Sequence, residues 1–218
     1  MRGRRHQTRK IAVRLSERTV IDLLAAFRSP DPTPGGGSAA ALTGAVGASL
    51  LAMVAALPKT RASGAADEEI LREAGRHCAA LSADLAVLID RDSEAYDLVM
   101  AAYKRPKTAG EAKAGRSAAI QSALRSAIAA PLDVMRACAD AANEGIVVAD
   151  FGNPSAASDV QVALELLTAA LRGARLNIEI NLESVKDADY IGEVREEIAR
   201  LVRRVAENAD TARNALRR

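Results

Sequence analysis

At 218 residues the chain is long enough for one large domain or two small ones. Apolar residues make up 49% but aromatics only 2%, with no Trp, so a core has to be built from Ala, Leu, Val and Ile; strand formers are scarce and the expected fold class is all-α. A formal charge of +2 argues against a general nucleic-acid binder, and two histidines and two cysteines outside any ligand spacing argue against a metal site.

In chain order, residues 1–15 read as a basic lead that need not be ordered, and 16–218 as one helical domain. Ser16 is placed to cap a first helix, ERTVIDLLAAFRS, which Pro30 and Pro32 stop. Pro34 and three consecutive glycines turn into a second helix, from about Ser38 to Leu57, ended by Pro58. A linker, KTRASGAAD, follows. Leu81, Leu85, Leu88, Ala95, Val99 and Ala102 then hold helical spacing within a third helix, from about Asp67 to Tyr103, and KRPKTAG breaks it. A fourth helix starts near Glu111 and passes Ala130, where Pro131 either kinks it or opens a new helix. Asn153 before Pro154 predicts an N-cap with proline at the first helical position, and the fifth helix runs to about Leu182. A charged last helix starts near Asp187. The expectation is a single-domain bundle of about five to six long antiparallel helices. Cys78 and Cys138, with no clean apolar signal segment, predict reduced thiols in a cytoplasmic protein.

Residues 32–57, PTPGGGSAAALTGAVGASLLAMVAAL, carry no charge. They lack the GK[ST] of a phosphate loop and the spaced glycines of a dinucleotide fold. The helix has the length of a membrane span, but Ala, Gly, Ser and Thr dominate it and no aromatic belt flanks it. A buried, small-residue central helix is expected. Gly35, Gly36, Gly37 and Ser38 at its start offer N–H groups and a hydroxyl to an anion or carbonyl oxygen, or simply form an N-cap turn.

On the third helix Asp92 stands where the apolar stripe calls for Leu. A buried carboxylate resists ionisation, which makes Asp92 a candidate acid/base, or else half of an inter-helix ion pair. Tyr96 lies one turn on; Asp90, Glu94 and Asp97 read as solvated. On the fifth helix Asp159, Ala163, Leu166, Ala170, Gly173 and Asn177 form one stripe, and Asn181 follows a turn later. Polar groups at each end of an apolar stripe suit a flat ligand, and equally suit amides bonded to backbone. Lys104 and Lys107 read as surface lysines able to meet a carboxylate.

Taken together, these segments resemble the formiminotetrahydrofolate cyclodeaminase and methenyltetrahydrofolate cyclohydrolase family. The resemblance rests on PTPGGGSAAALTGAVGASLLAMV, DRDSEAYDLVMAAYKRPK, APLDVM, and GNPSAASDVQVA followed by ARLNIEINL, in that order from Ser16 onward. It implies an all-helical homodimer that binds a reduced folate without metal or nucleotide, with no cofactor beyond that substrate, no nucleic acid and no membrane. It implies one of two reactions. The cyclodeaminase closes N10 of 5-formiminotetrahydrofolate onto the formimino carbon and expels ammonia; the cyclohydrolase opens 5,10-methenyltetrahydrofolate with water. Ring closure is the leading expectation, hydrolysis the alternative, and a silent helical dimer serving as an interaction module the reading from another class. Carried over residue by residue, the resemblance makes Asp92, Asp159 and Tyr96 catalytic. It makes Gly35, Gly36, Gly37, Ser38, Lys104, Lys107, Asn153, Asn177 and Asn181 substrate-binding. Many members carry a GKKKY-like basic run after the second helix; here the chain reads LPKTRASGAAD, with Lys59 and Arg61 as its cations.

Overall fold

Helical spacing in the sequence becomes helix along nearly the whole chain. The computed structural model describes residues 13–107 and 111–218, so most of the basic lead lies outside the described residues. Six α-helices form, with no strand among the described residues: α1 (Val20–Phe27), α2 (Gly36–Ala56), α3 (Ala65–Lys104), α4 (Glu111–Phe151), α5 (Ala157–Leu182) and α6 (Ala188–Leu216). Five are long and α1 is short. The short links between α2, α3, α4, α5 and α6 make successive helices antiparallel.

Four local expectations change. Thr19, not Ser16, caps α1: its side chain accepts the Asp22 N–H at 3.1 Å. The Ser16 hydroxyl donates instead to Asp90 Oδ2 at 2.6 Å, and the Leu15 N–H donates to Asp90 Oδ1 at 2.6 Å. Asp90 is therefore not merely solvated; it fastens the first described residues to α3. Asn153 caps a 3-10 turn, Pro154–Ala156, before α5 proper begins. Pro131 neither ends nor restarts a helix, because α4 runs through it. A proline inside a helix costs about 3 kcal/mol, and Pro131 is buried there.

α2 is apolar on every side, and it occupies the centre of the bundle, against α3, α4 and α5. Its small residues are what let the other helices close on it. A Cβ at Gly44 would stand 2.9 Å from Cys138 Sγ on α4, and one at Gly47 would stand 3.0 Å from the Ala163 carbonyl oxygen on α5. α2 is long and apolar enough to cross a membrane, with mean hydropathy 1.9. Here 44% of that apolar window is buried against the other helices, while Val46 and Met53 stay exposed. Cys78 and Cys138 are buried, and burial pushes both thiols up to about 12, so neither is a ready nucleophile.

α6 is strongly amphipathic and lies along α4. Exposed ion pairs line the seam: Arg136–Glu197 at 2.7 Å, Arg204–Asp140 at 2.8 Å and Arg125–Asp187 at 2.6 Å. Exposed pairs of this kind contribute at most about 1 kcal/mol each; the buried Val194, Ile198, Leu201 and Val205 hold the helix in place.

Candidate active-site cleft

The glycine turn brings the N-terminus of α2 against the middle of α3. Gly37 makes this approach possible: a Cβ there would stand within 2.7 Å of all three atoms of the Asp92 carboxyl group, so the carboxyl could not keep its place. With no Cβ in the way, Asp92 caps α2 from a neighbouring helix. The Ser38 N–H donates to Asp92 Oδ2 at 2.8 Å, and the Ser38 hydroxyl lies 3.0 Å from the same oxygen. That hydroxyl also lies 2.9 Å from the Ile89 carbonyl oxygen and has one proton for two acceptors. An ionised carboxylate is the stronger acceptor.

The two carboxylate oxygens are thus unequal. Oδ2 is held by Ser38, while Oδ1 has no hydrogen-bond donor among the described residues and keeps solvent access. Burial pushes the carboxyl above its ordinary value of 3.8; the bonds from Ser38 pull the other way and only partly offset it. No cation among the described residues offsets the burial. The elements around Asp92 present glycine backbone from α2, Ala127 from α4, Asn177 and Asn181 from α5, and Tyr96 from α3 itself. The expected alternative of an inter-helix ion pair is therefore not what forms.

Asp92 opens onto a cleft of about 350 Å³ lined by Gly35, Gly36, Tyr96, Asn177 and Asn181, among others. Pro32, Thr33, Val99, Ala127 and Ile180 complete the lining. The Asn177 amide donates to the Gly173 carbonyl oxygen at 3.0 Å, and the Asn181 amide to that of Asn177 at 2.7 Å. Both Oδ1 atoms remain available as acceptors. Backbone bonding and a place on the cleft wall are therefore compatible for these two residues.

The structure separates the remaining candidates. Gly37 and Ser38 are buried behind Asp92 rather than on the cleft surface; Ser38 is 0% exposed. Its hydroxyl supports the carboxylate and touches no ligand space. Lys104 ends α3 and is exposed, about 18 Å of helix beyond Asp92, with Lys107 just past it. Neither lines the cleft. Asn153 and Asp159 lie at the opposite end of the bundle. Asn153 donates to the Pro58 carbonyl oxygen at 2.6 Å, beyond the C-terminus of α2, and accepts the Ser155 N–H at 2.8 Å. Asp159 stands in the first turn of α5, about 27 Å of helix from Asn177. Sharing one face of a straight helix does not bring two residues into one site, so Asp159 is not a second carboxylate for this cleft.

Sequence reading missed Thr33, Val99, Ala127 and Ile180, apolar or small residues whose only signal is proximity to Asp92 in the folded chain. A neighbouring hollow of about 380 Å³ lies under α1, between Arg14, Arg18, Asp90, Glu94 and Asp97. Its best-placed carboxylate, Asp90, already holds Leu15 and Ser16, which leaves it less suited to chemistry than Asp92. No cluster of three or more His, Cys, Asp or Glu side chains suited to a metal ion occurs among the described residues.

Comparison with known proteins agrees with the earlier resemblance. The profile of the formiminotransferase-cyclodeaminase family matches residues 19–200. Methenyltetrahydrofolate cyclohydrolase of Methylorubrum extorquens is 37% identical over 184 residues, 84% of this chain and 88% of that one. Formimidoyltransferase-cyclodeaminase of Sus scrofa is 36% identical over 174 residues, 80% of this chain but 32% of that one, so the chain spans about a third of that longer relative. The solved structure of formiminotetrahydrofolate cyclodeaminase from Thermotoga maritima superposes with a TM-score of 0.83 at 26% identity, covering 93% of this chain and 98% of that one.

Proposed function

The chain belongs to the formiminotransferase-cyclodeaminase family, and on that premise we propose that it is a folate one-carbon enzyme that makes or opens 5,10-methenyltetrahydrofolate by carboxylate acid/base catalysis. The observation that carries this reading is the asymmetry of Asp92: one oxygen anchored by Ser38, the other open to the cleft, on a carboxyl whose affinity for protons is raised by burial. A base that binds its proton more firmly than an ordinary carboxylate also returns it at a pH nearer neutrality, which suits a two-way shuttle.

In ring closure, N10 bonds to the carbon of the protonated formimino group. Asp92 Oδ1 takes the proton from N10 and delivers it to the amino group on the same carbon. The C–N bond then breaks, ammonia leaves and the methenyl cation remains. Holding N10 beside the carbon supplies much of the rate. In the hydrolysis, Oδ1 takes a proton from water as it adds to the methenyl carbon and passes it to N5 as the C–N5 bond opens, while the remaining hydroxyl proton leaves to solvent as the formyl carbonyl forms. A single carboxylate serves both schemes. The Thermotoga maritima structure favours the first reading; the relative from Methylorubrum extorquens, matched over most of both chains, favours the second.

Tyr96, Asn177, Asn181 and the Gly35–Gly36 backbone are suited to hold the substrate; Lys104 and Lys107 lie outside that lining, on the surface further along α3, and would meet only the far carboxylate end of the substrate. The substrate is the only small molecule this scheme needs. A cytoplasmic homodimer fits the exposed apolar side chains Val20, Ile21 and Leu24 on α1 and Val46 and Met53 on α2. Sedimentation equilibrium of the pure protein at twice the monomer mass supports the dimer; a monomer at micromolar concentration overturns it.

Absorbance of methenyltetrahydrofolate decides the reaction. Growth of the chromophore from 5-formiminotetrahydrofolate identifies a cyclodeaminase, and its enzyme-dependent decay identifies a cyclohydrolase. Neither change, with no folate-induced rise in melting temperature, would leave the non-catalytic dimer as the reading.

A further inference from the structure

We propose that Pro131 frees the backbone carbonyl of Ala127 to accept a hydrogen bond from an N–H group of the ligand in the cleft. In an α-helix each N–H donates to the carbonyl four residues earlier. The partner of the Ala127 carbonyl is therefore residue 131, and proline has no N–H to give. The proline ring also crowds that same carbonyl and tilts it off the helix axis. Because α4 continues unbroken from Glu111 to Phe151, the proline is not there to start or stop a helix.

The place of Ala127 gives the freed oxygen a use. Ala127 lines the cleft together with Asp92, Tyr96, Asn177 and Asn181. The nearest hydroxyl on α4, that of Ser126, donates to the Ser122 carbonyl at 3.3 Å and not to Ala127. A carbonyl without a donor is costly unless water or ligand reaches it. At the cleft wall either can, and ligand replaces water on binding.

The freed carbonyl also joins a consistent set. Asp92 Oδ1, Asn177 Oδ1 and Asn181 Oδ1 are available acceptors in the same cleft. A cleft rich in acceptors selects a ligand rich in N–H donors. The aminopyrimidinone ring of a reduced folate has that character, and naming it as the donor rests on the function proposed above.

Two measurements test this, with 5-formyltetrahydrofolate as the unreactive probe. The chain has two Ala–Ile pairs, Ala119–Ile120 and Ala127–Ile128. Labelling with carbonyl-¹³C alanine and ¹⁵N isoleucine therefore isolates two carbonyl resonances in the native chain. The resonance of Ala127 should move on adding the probe and that of Ala119 should not. Pro131→Ala restores the missing N–H, which should recapture the carbonyl. Its melting temperature should rise by several degrees while the probe binds about fivefold more weakly, the loss of one neutral hydrogen bond. Gain in stability with loss of affinity is a combination that a purely structural proline does not give. An unmoved Ala127 carbonyl at saturating probe, or unchanged affinity in Pro131→Ala, overturns the inference and leaves the folate reading standing. If the native protein does not bind the probe, the folate reading falls and takes this inference with it.

Discussion

The two ends of α2 are built from the same kinds of residue and do different things. At its N-terminus stand a glycine turn, Asp92, Asn177 and Asn181; beyond its C-terminus stand Gly152, Asn153, Pro154 and Asp159. At the second end Asn153 uses both halves of its amide on the protein, donating to the Pro58 carbonyl and accepting from Ser155. At the first end Asp92, Asn177 and Asn181 each bond the protein through one polar atom and keep an acceptor oxygen in reserve. The difference teaches that a site is made by what is left unsatisfied, and that this depends on which helix crosses which.

The comparison can be broken most forcefully at the two aspartates. Asp92→Asn should lower turnover at least about 100-fold, the usual scale for a lost acid/base group, with native circular dichroism, while Asp159→Asn should leave turnover unchanged; equal losses would erase the distinction between the ends. Asp92→Asn should also be more stable than the native protein at neutral pH. The sign follows from the raised proton affinity of Asp92 in the fold, which favours the protonated form. Its stabilising effect is complete below the ordinary carboxylate value of 3.8 and is lost as pH rises through the folded value. Urea titrations at several pH values should therefore show the two proteins converging on the acid side.

Gly37→Ala comes next. The added methyl takes the space of the Asp92 carboxyl, so turnover and melting temperature should fall together, and a crystal structure should show Asp92 displaced. Full activity in this variant would mean that the contact between α2 and α3 is not what aims Asp92. Ser38→Ala should act more gently, by removing a donor to the ionised carboxylate. The limb of the pH–rate profile that belongs to Asp92 should then move to higher pH. A profile with only its height changed would make Ser38 structural alone.

The smallest effects separate the asparagines. Asn177→Ala should weaken folate affinity by about tenfold with little change in melting temperature. Asn153→Ala should do the reverse, costing about 1 kcal/mol of stability through the lost cap while leaving KM alone. Titration calorimetry and thermal melts on both proteins check the pair.

Much of this was readable along the chain. Small-residue content and helical spacing predict the bundle and the central place of α2, because both are local or compositional properties; that one side of α2 stays exposed was not expected. Asp92 stands out because a carboxylate interrupts an apolar stripe. Asp159, the second choice by face, stands away from the cleft, since periodicity gives direction around a helix but not the distance along it to a partner helix. Ser38 looked like a ligand-binding hydroxyl, and only the crossing of α2 and α3 turns it toward Ile89 and Asp92. Ala127 and Ile180 carry no signal in one dimension. Pro131 carried one that pointed to a kink or a new helix start, and α4 runs through it.

By itself, then, the sequence determined an all-α chain, an apolar central helix with a glycine-rich start and a carboxylate destined for partial burial. These follow from propensity, periodicity and the cost of burying charge, which act within a helix. The tertiary structure alone decided which end of the bundle holds the cleft, which oxygen of Asp92 is free, and which polar groups stay unsatisfied. Those are relations between residues on different helices, set by how closely the small side chains of α2 let α3, α4 and α5 approach.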